Sequence, residues 1–177
     1  MRYIAIDRPQ YKFSAAHMTV FPDGSKERLH GHNYQLAARL FLREVSLPAM
    51  CDFAVIKDGL KAVCAGLNER TLLALHNPFL RVLVEDTPAQ GPPRVRLSHR
   101  DGEYLFPLAD VALLPIDNIS SERLAEHCHG LLASHLCRHL SAAAQAVVAA
   151  LEVRVFELPG QGAGYRAALP DRGNHSP

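Results

Sequence analysis

The stretch Arg28-Leu29-His30-Gly31-His32-Asn33-Tyr34-Gln35-Leu36-Ala37-Ala38-Arg39-Leu40 decides how the rest of the chain is read. Its two histidines, one residue apart, open a run that reads as a strand from about residue 32 to 43. Residues i and i+2 of a strand share a face, so His30 and His32 project side by side. Gly31 between them leaves the backbone uncrowded. Upstream, Tyr11-Lys12-Phe13-Ser14-Ala15-Ala16 reads as a first strand with His17 at its end. Pairing the two strands antiparallel gathers His17, His30 and His32 at one end. Three neutral imidazoles with a fourth position open is the arrangement of catalytic zinc (Zn2+), whereas structural zinc is closed by four protein ligands.

Further along, residues 53–66 place apolar side chains at helical spacing, with Gly66 as the expected stop. Residues 67–78 read as a polar-rich connection with one apolar patch. Between about 80 and 107, Leu80–Glu85, Arg94–Leu97 and Tyr104–Phe106 look like short strands. Pro88, Gly91-Pro92-Pro93 and Arg100-Asp101-Gly102 mark their turns, and the last is a strong hairpin signal. Pro115 to Glu122 announces a second helix, with cap-competent residues and an acid in the first turn. Leu124, Cys128, Leu132, His135 and Leu136 lie on its apolar face, and the alanine-rich residues 142–150 extend or follow it. Residues 151–157 and 164–169 alternate as two closing strands. The order predicts an α+β fold: an antiparallel sheet, two main helices on one face and a strand-rich insertion. Residues 1–169 are expected to form one domain, the insertion being too small for a core of its own, and the tail from Pro170 to be loose.

Composition narrows the function classes. A formal net charge of +1 and few aromatics give neither the field nor the stacking platform of a nucleic-acid binder. No run approaches the roughly 20 apolar residues of a membrane span, and the first residues lack a signal-peptide core. A cytoplasmic protein is expected. Cys51, Cys64, Cys128 and Cys137 form no CxxC pair and read as reduced thiols of helix packing. His127, Cys128, His129, His135, Cys137 and His139 could be drawn as a second metal site. Helical periodicity already explains them as a packed face with exposed histidines.

Five pieces in order then carry a resemblance: Phe13-Ser14-Ala15-Ala16-His17; His30-Gly31-His32-Asn33-Tyr34; Asp52-Phe53 with Lys57; Asn118-Ile119-Ser120-Ser121-Glu122; and Glu157 with Tyr165. Over most of residues 11–169 the chain resembles the 6-pyruvoyl-tetrahydropterin synthase and 6-carboxy-tetrahydropterin synthase family of tunnelling-fold pterin enzymes. The resemblance implies zinc on His17, His30 and His32. It also implies a pterin substrate and homo-oligomers, trimers or hexamers, whose sheets close into a barrel with active sites between subunits.

Two departures accompany it. The synthases carry a catalytic Cys shortly before the HGH motif, where this chain has Ser25-Lys26-Glu27-Arg28-Leu29. Their Asp-His pair follows a Leu after the first helix, where this chain has Leu67-Asn68-Glu69. The metal and pterin anchors are present while the acid/base groups are changed. Glu157 suits pterin recognition because one carboxylate accepts two parallel hydrogen bonds from a ring N–H and its exocyclic amine. Ser121 and Glu122 could add contacts, although helix capping accounts for them nearly as well. Glu27 is the acid nearest the histidines in sequence, with Glu69 or His76 as partners in proton transfer. Spacing alone does not separate that role from a solvated loop acid at Glu27. Relatives with Glu in place of the Cys are associated with aldolase-type cleavage of the dihydroneopterin side chain. The leading expectation is therefore a zinc-dependent lyase on 7,8-dihydroneopterin or its triphosphate, giving 6-hydroxymethyl-7,8-dihydropterin. A synthase proper and a non-catalytic pterin-binding protein are the alternatives.

Overall fold

The sixteen-residue β1 (Arg2–His17) runs antiparallel to β2 (His30–Leu42), and the whole architecture grows from that ribbon. The computed structural model describes residues 1–86 and 91–170. The ladder runs from Arg2 opposite Leu42 to His17 opposite His30, with an irregularity between Asp7 and Lys12. β1 thus begins well before the Tyr11 start expected from alternation, because its first half is largely exposed and carries little periodicity. β8 (Val148–Leu158) and β9 (Gln161–Ala167) extend the sheet beyond β2.

On the other side the sheet gains two strands, one within the expected connection of residues 67–78 and one between the insertion and the second helix. β3 (Arg70–Ala74) runs parallel to β1, and β7 (Val111–Leu114) parallel to β3. Leu72, Leu73 and Ala74 are all buried, Leu72 facing the main core and Leu73 a second one. A strand covered on both faces reads as a continuous apolar patch, which hides it from a search for alternation. The order across the six strands is β7-β3-β1-β2-β8-β9.

One face of this sheet is covered by α1 (Phe53–Leu67) and α2 (Ser121–His139), followed by the short α3 (Ala142–Val147). Asp52 caps α1 by accepting from the Ala54 N–H, and the helix runs one residue past Gly66. The alanine-rich segment follows α2 rather than extending it: Ser141 caps α3 through the Ala144 N–H. The insertion folds as a separate three-stranded sheet of β4 (Arg81–Glu85), β5 (Arg94–His99) and β6 (Gly102–Pro107). Arg100-Asp101 forms the β5–β6 turn, as the sequence signal indicated, with His99 opposite Gly102. Val95 and Leu97 of this sheet share a core with Met18, Leu73 and Val111. Pro88 and the tail from residue 171 lie outside the described residues.

Cys51, Cys64 and Cys128 are buried among the helices. His129 departs from the expected exposed histidine: it is buried against the Tyr165 ring, centroids 5.0 Å apart. Burial holds its imidazole below the ordinary 6.5, so the folded chain resists a proton that the unfolded chain accepts. Stability is therefore complete above about pH 6.5 and declines as pH falls below it. Chemical denaturation at pH 7.5 and 5.5 should show that loss in the wild type and a smaller one in His129→Phe.

Candidate active site

The β1–β2 ladder fixes the histidines. His17 stands opposite His30, and His32 opposite Ala15, so all three rings collect at the end of the ribbon. Their centroids lie 4.6, 5.2 and 4.9 Å apart for His17–His30, His17–His32 and His30–His32. One ring nitrogen from each falls within 4.8 Å of the others, the single such group of metal-ligand type among the described residues. The histidines of α2 form none.

The tautomers follow from the carbonyls. His17 Nδ1 lies 3.0 Å from the Ile119 oxygen, and His30 Nδ1 2.8 Å from the Arg28 oxygen. A ring nitrogen facing a carbonyl carries the proton and donates it, which leaves Nε2 with a free lone pair. His17 Nε2 is buried without a hydrogen-bond partner, and His30 Nε2 lies 3.0 Å from His32 Nε2. Around a tetrahedral ion at roughly 2.0–2.1 Å, ligand atoms stand about 3.3 Å apart, so the three nitrogens need only small shifts to fit. Burial, and then the neighbouring His30 and His32, keep His17 below its ordinary value and favour the neutral, ligating form. The residues fit a metal ion.

Tyr34, two residues after His32 on the same strand face, lies against both His17 and His32 at 5.9 and 5.6 Å between centroids. Burial pushes its phenol far up, so it stays protonated beside the histidines. Its i+2 spacing from His32 is the sequence signal that puts Tyr34 on the histidine face.

Residues 18–27 form a tight excursion rather than an open loop. Val20 bridges Lys26, and the Phe21 N–H donates to the Ser25 oxygen at 2.7 Å. Glu27 and Thr19 bond reciprocally: the Glu27 N–H donates to the Thr19 oxygen (2.9 Å), and Glu27 Oε2 accepts from the Thr19 N–H (3.1 Å). Burial pushes the Glu27 carboxyl up, but the bonds to Thr19 together with His30 and His17 outweigh it and hold the group below its ordinary value. Glu27 is therefore a carboxylate anchored beside the histidines and not a free loop acid.

The Asn118–Glu122 segment acts mainly through its backbone and its amide. Asn118 bonds both backbone groups of Val20, at 3.0 and 2.8 Å, while Ile119 orients His17. Ser120 caps α2 through the Arg123 N–H. That leaves Ser121 and Glu122 lining a cavity of about 270 Å³ together with Thr19 and Glu157. The backbone of Glu122 itself, and then the Ser120 side chain, hold the Glu122 carboxyl below its usual range.

Glu157 also borders a larger cavity, about 620 Å³, with His32, Asn33, Asp7 and Gln35. Glu69 lies on a third of about 520 Å³, again reaching His32, together with Arg70 and Asp110. Its backbone is left-handed, φ 58°, and its N–H donates to the Ser14 oxygen at 2.7 Å. His76 is not brought into this group: it follows β3, its N–H bonds the Ile116 oxygen, and it lines none of these three cavities. No described helix is long and apolar enough to cross a membrane.

Comparison with known proteins agrees with this geometry. The sequence profile described as 6-pyruvoyl tetrahydropterin synthase matches residues 8–168. A protein of Methanocaldococcus jannaschii, provisionally named a 6-carboxy-5,6,7,8-tetrahydropterin synthase, is 29% identical over 159 residues, 89% of this chain and 91% of that one. The crystal structure of 6-pyruvoyl tetrahydropterin synthase from Plasmodium vivax superposes with a TM-score of 0.81 at 25% identity, covering 94% of this chain and 98% of that one. The Plasmodium falciparum enzyme gives the same figures: a TM-score of 0.81, 25% identity and coverage of 94% and 98%. The P. vivax protein is also known as a variant in which a catalytic glutamate is replaced by alanine.

Proposed function

The chain belongs to the 6-pyruvoyl tetrahydropterin synthase family, which works in pterin biosynthesis and has the tunnelling fold, and we propose that it is a zinc-dependent lyase. Its reaction is cleavage of the side chain of 7,8-dihydroneopterin or its triphosphate to 6-hydroxymethyl-7,8-dihydropterin. The observation that carries this reading is the Glu27 carboxylate, bonded to the Thr19 N–H beside His17 and His30. The P. vivax relative, in which a glutamate is the catalytic residue, supports it.

Zinc held by His17, His30 and His32 would supply Lewis-acid polarisation of the side-chain hydroxyls. Glu27 is the base that takes the proton of the C2′ hydroxyl. The C1′–C2′ bond then breaks, its electrons passing to C1′ and the pterin ring, and C2′ departs as the aldehyde of a two-carbon fragment. A proton returned to C1′ completes the hydroxymethyl product. Glu69, which shares a cavity with His32, is better placed to return it than His76. Glu157 accepts the ring N–H and the exocyclic amine, with Ser121 and Glu122 beside it.

Hydrogen bonds to a charged group are worth about 1.5–3 kcal/mol, so Glu157→Gln should weaken pterin binding by roughly 10–150-fold. Calorimetric titration of the zinc-loaded variant checks this, with metal content unchanged. The protein is further proposed to be a homo-oligomer, a trimer or hexamer, since the six-stranded sheet ends in β7 on one side and β9 on the other, where copies could join edge to edge.

A second reading, a 6-carboxytetrahydropterin synthase, is favoured by the name of the M. jannaschii relative. Incubation of the zinc-loaded protein with a panel of dihydropterins, products identified by mass, separates the two. A hydroxymethyl product supports the lyase, a pyruvoyl or carboxy product the synthase. Zinc bound with no turnover across the panel would point to a non-catalytic pterin-binding protein.

A further inference from the structure

The inserted sheet β4–β6 grips the excursion that carries Glu27. His99, at the end of β5, has a side chain only 1% exposed, and its Nε2 lies 2.9 Å from the Gly24 oxygen. His99 Nδ1 accepts from the Asp101 N–H at 3.2 Å, so the proton sits on Nε2 and is donated to Gly24. Arg100 donates to the Asp23 oxygen at 3.3 Å. Lys26 donates to the Tyr104 hydroxyl at 3.1 Å and stands 5.3 Å from the centre of that ring. Gly24 itself has φ 77° and lies so close under Phe79 that an added Cβ would come within 2.9 Å of the ring. Both flanks of the excursion, Met18 and Leu29, pack into the core that Val95, Leu97, Tyr104 and Phe106 build. Asn118, from the segment before α2, holds Val20.

The side chains that hold Gly24, Asp23 and Lys26 fix the path of the excursion that ends in Glu27, and a base misplaced by about 1 Å can lose on the order of 100-fold in rate. We propose that the insertion is the device that sets the Glu27 carboxylate, with His99 as a positioning residue acting through the Gly24 carbonyl. The inference rests on the role given to Glu27 above. It assigns a purpose to a segment that neither the metal nor the pterin anchors require.

The test has two arms. Amide hydrogen exchange at Thr19 and Glu27 reports the reciprocal pair directly, whether or not a substrate is turned over. His99→Leu should speed exchange at both amides about 10-fold or more. His99→Gln, whose side-chain amide offers an N–H at a similar reach, should restore protection. In steady-state assays His99→Leu should lower kcat by roughly 10–100-fold with KM within about 3-fold and zinc content unchanged, and His99→Gln should recover most of the rate. Should His99→Leu fail to fold, the pair Arg100→Ala and Tyr104→Phe removes the other two side-chain hydrogen bonds from the inserted sheet to the excursion, and the same readouts decide. Wild-type exchange at Thr19 and Glu27 in these variants would overturn the proposal. Undiminished turnover by Glu27→Ala would instead overturn the role of Glu27, leaving the exchange arm to judge the insertion on its own.

Discussion

Glu27→Ala should lose at least about 100-fold in kcat while binding zinc and pterin as the wild type does. General-base contributions run from about 10² to 10⁴, and the other carboxylate of the excursion, Asp23, is taken up by Ser25 at its turn. The carboxylate reaches its position through a backbone pair, the Glu27 N–H to Thr19 and the Thr19 N–H to Glu27 Oε2. Removing the side chain leaves the first bond intact, so the excursion keeps its path and the loss falls on chemistry. Glu27→Gln separates charge from shape. An amide can keep the bond from Thr19 but cannot take a proton, so its activity should match that of Glu27→Ala. A glutamine variant with most of the wild-type rate would mean that Glu27 only anchors the turn. Steady-state kinetics with metal analysis on the same preparations decides between these outcomes.

His32→Ala should release the metal and abolish turnover. His32 is half-buried and His17 sealed in the core, and both rings lie against Tyr34, so His30→Ala, at the exposed member of the three, serves beside it as the variant that removes a ligand without touching that ring. Loss of an outer-shell partner commonly weakens metal binding 10–100-fold, so loss of one ligand in three should exceed about 100-fold. Chelation of the wild type should reproduce the variant's inactivity, and added zinc should restore the wild type alone. The fold should survive both treatments, because the β1–β2 ladder and the main core do not depend on the ion. Full activity after exhaustive chelation would exclude a metal-dependent reaction.

Much of this arrangement was legible in the residues. The HGH spacing placed two imidazoles on one strand face, and the FSAAH stretch supplied the third on the partner strand. The Arg100-Asp101-Gly102 hairpin and the alternating closing strands were likewise written locally. What stayed hidden depends on contacts distant in sequence. β3 and β7 are short, buried and parallel, so neither alternation nor a turn marks them. The Asn118 amide meets Val20 across 98 positions, and His99 meets Gly24 across 75. Glu69 and His76 looked equivalent as partners of Glu27 until the parallel pairing of β3 with β1 brought Glu69 beside Ser14 and carried His76 past the site. His129 read as exposed because helical phase alone does not reveal that Tyr165 of β9 closes over it.

The most direct measurement is the reaction of zinc-loaded protein with 7,8-dihydroneopterin, and separately its triphosphate, run in D2O with products read by mass. The expected products are 6-hydroxymethyl-7,8-dihydropterin carrying one deuterium on the hydroxymethyl carbon and the two-carbon aldehyde, because C1′ is reprotonated after the C1′–C2′ bond breaks. A pyruvoyl or carboxy product, or no product from either compound, would contradict the proposed cleavage.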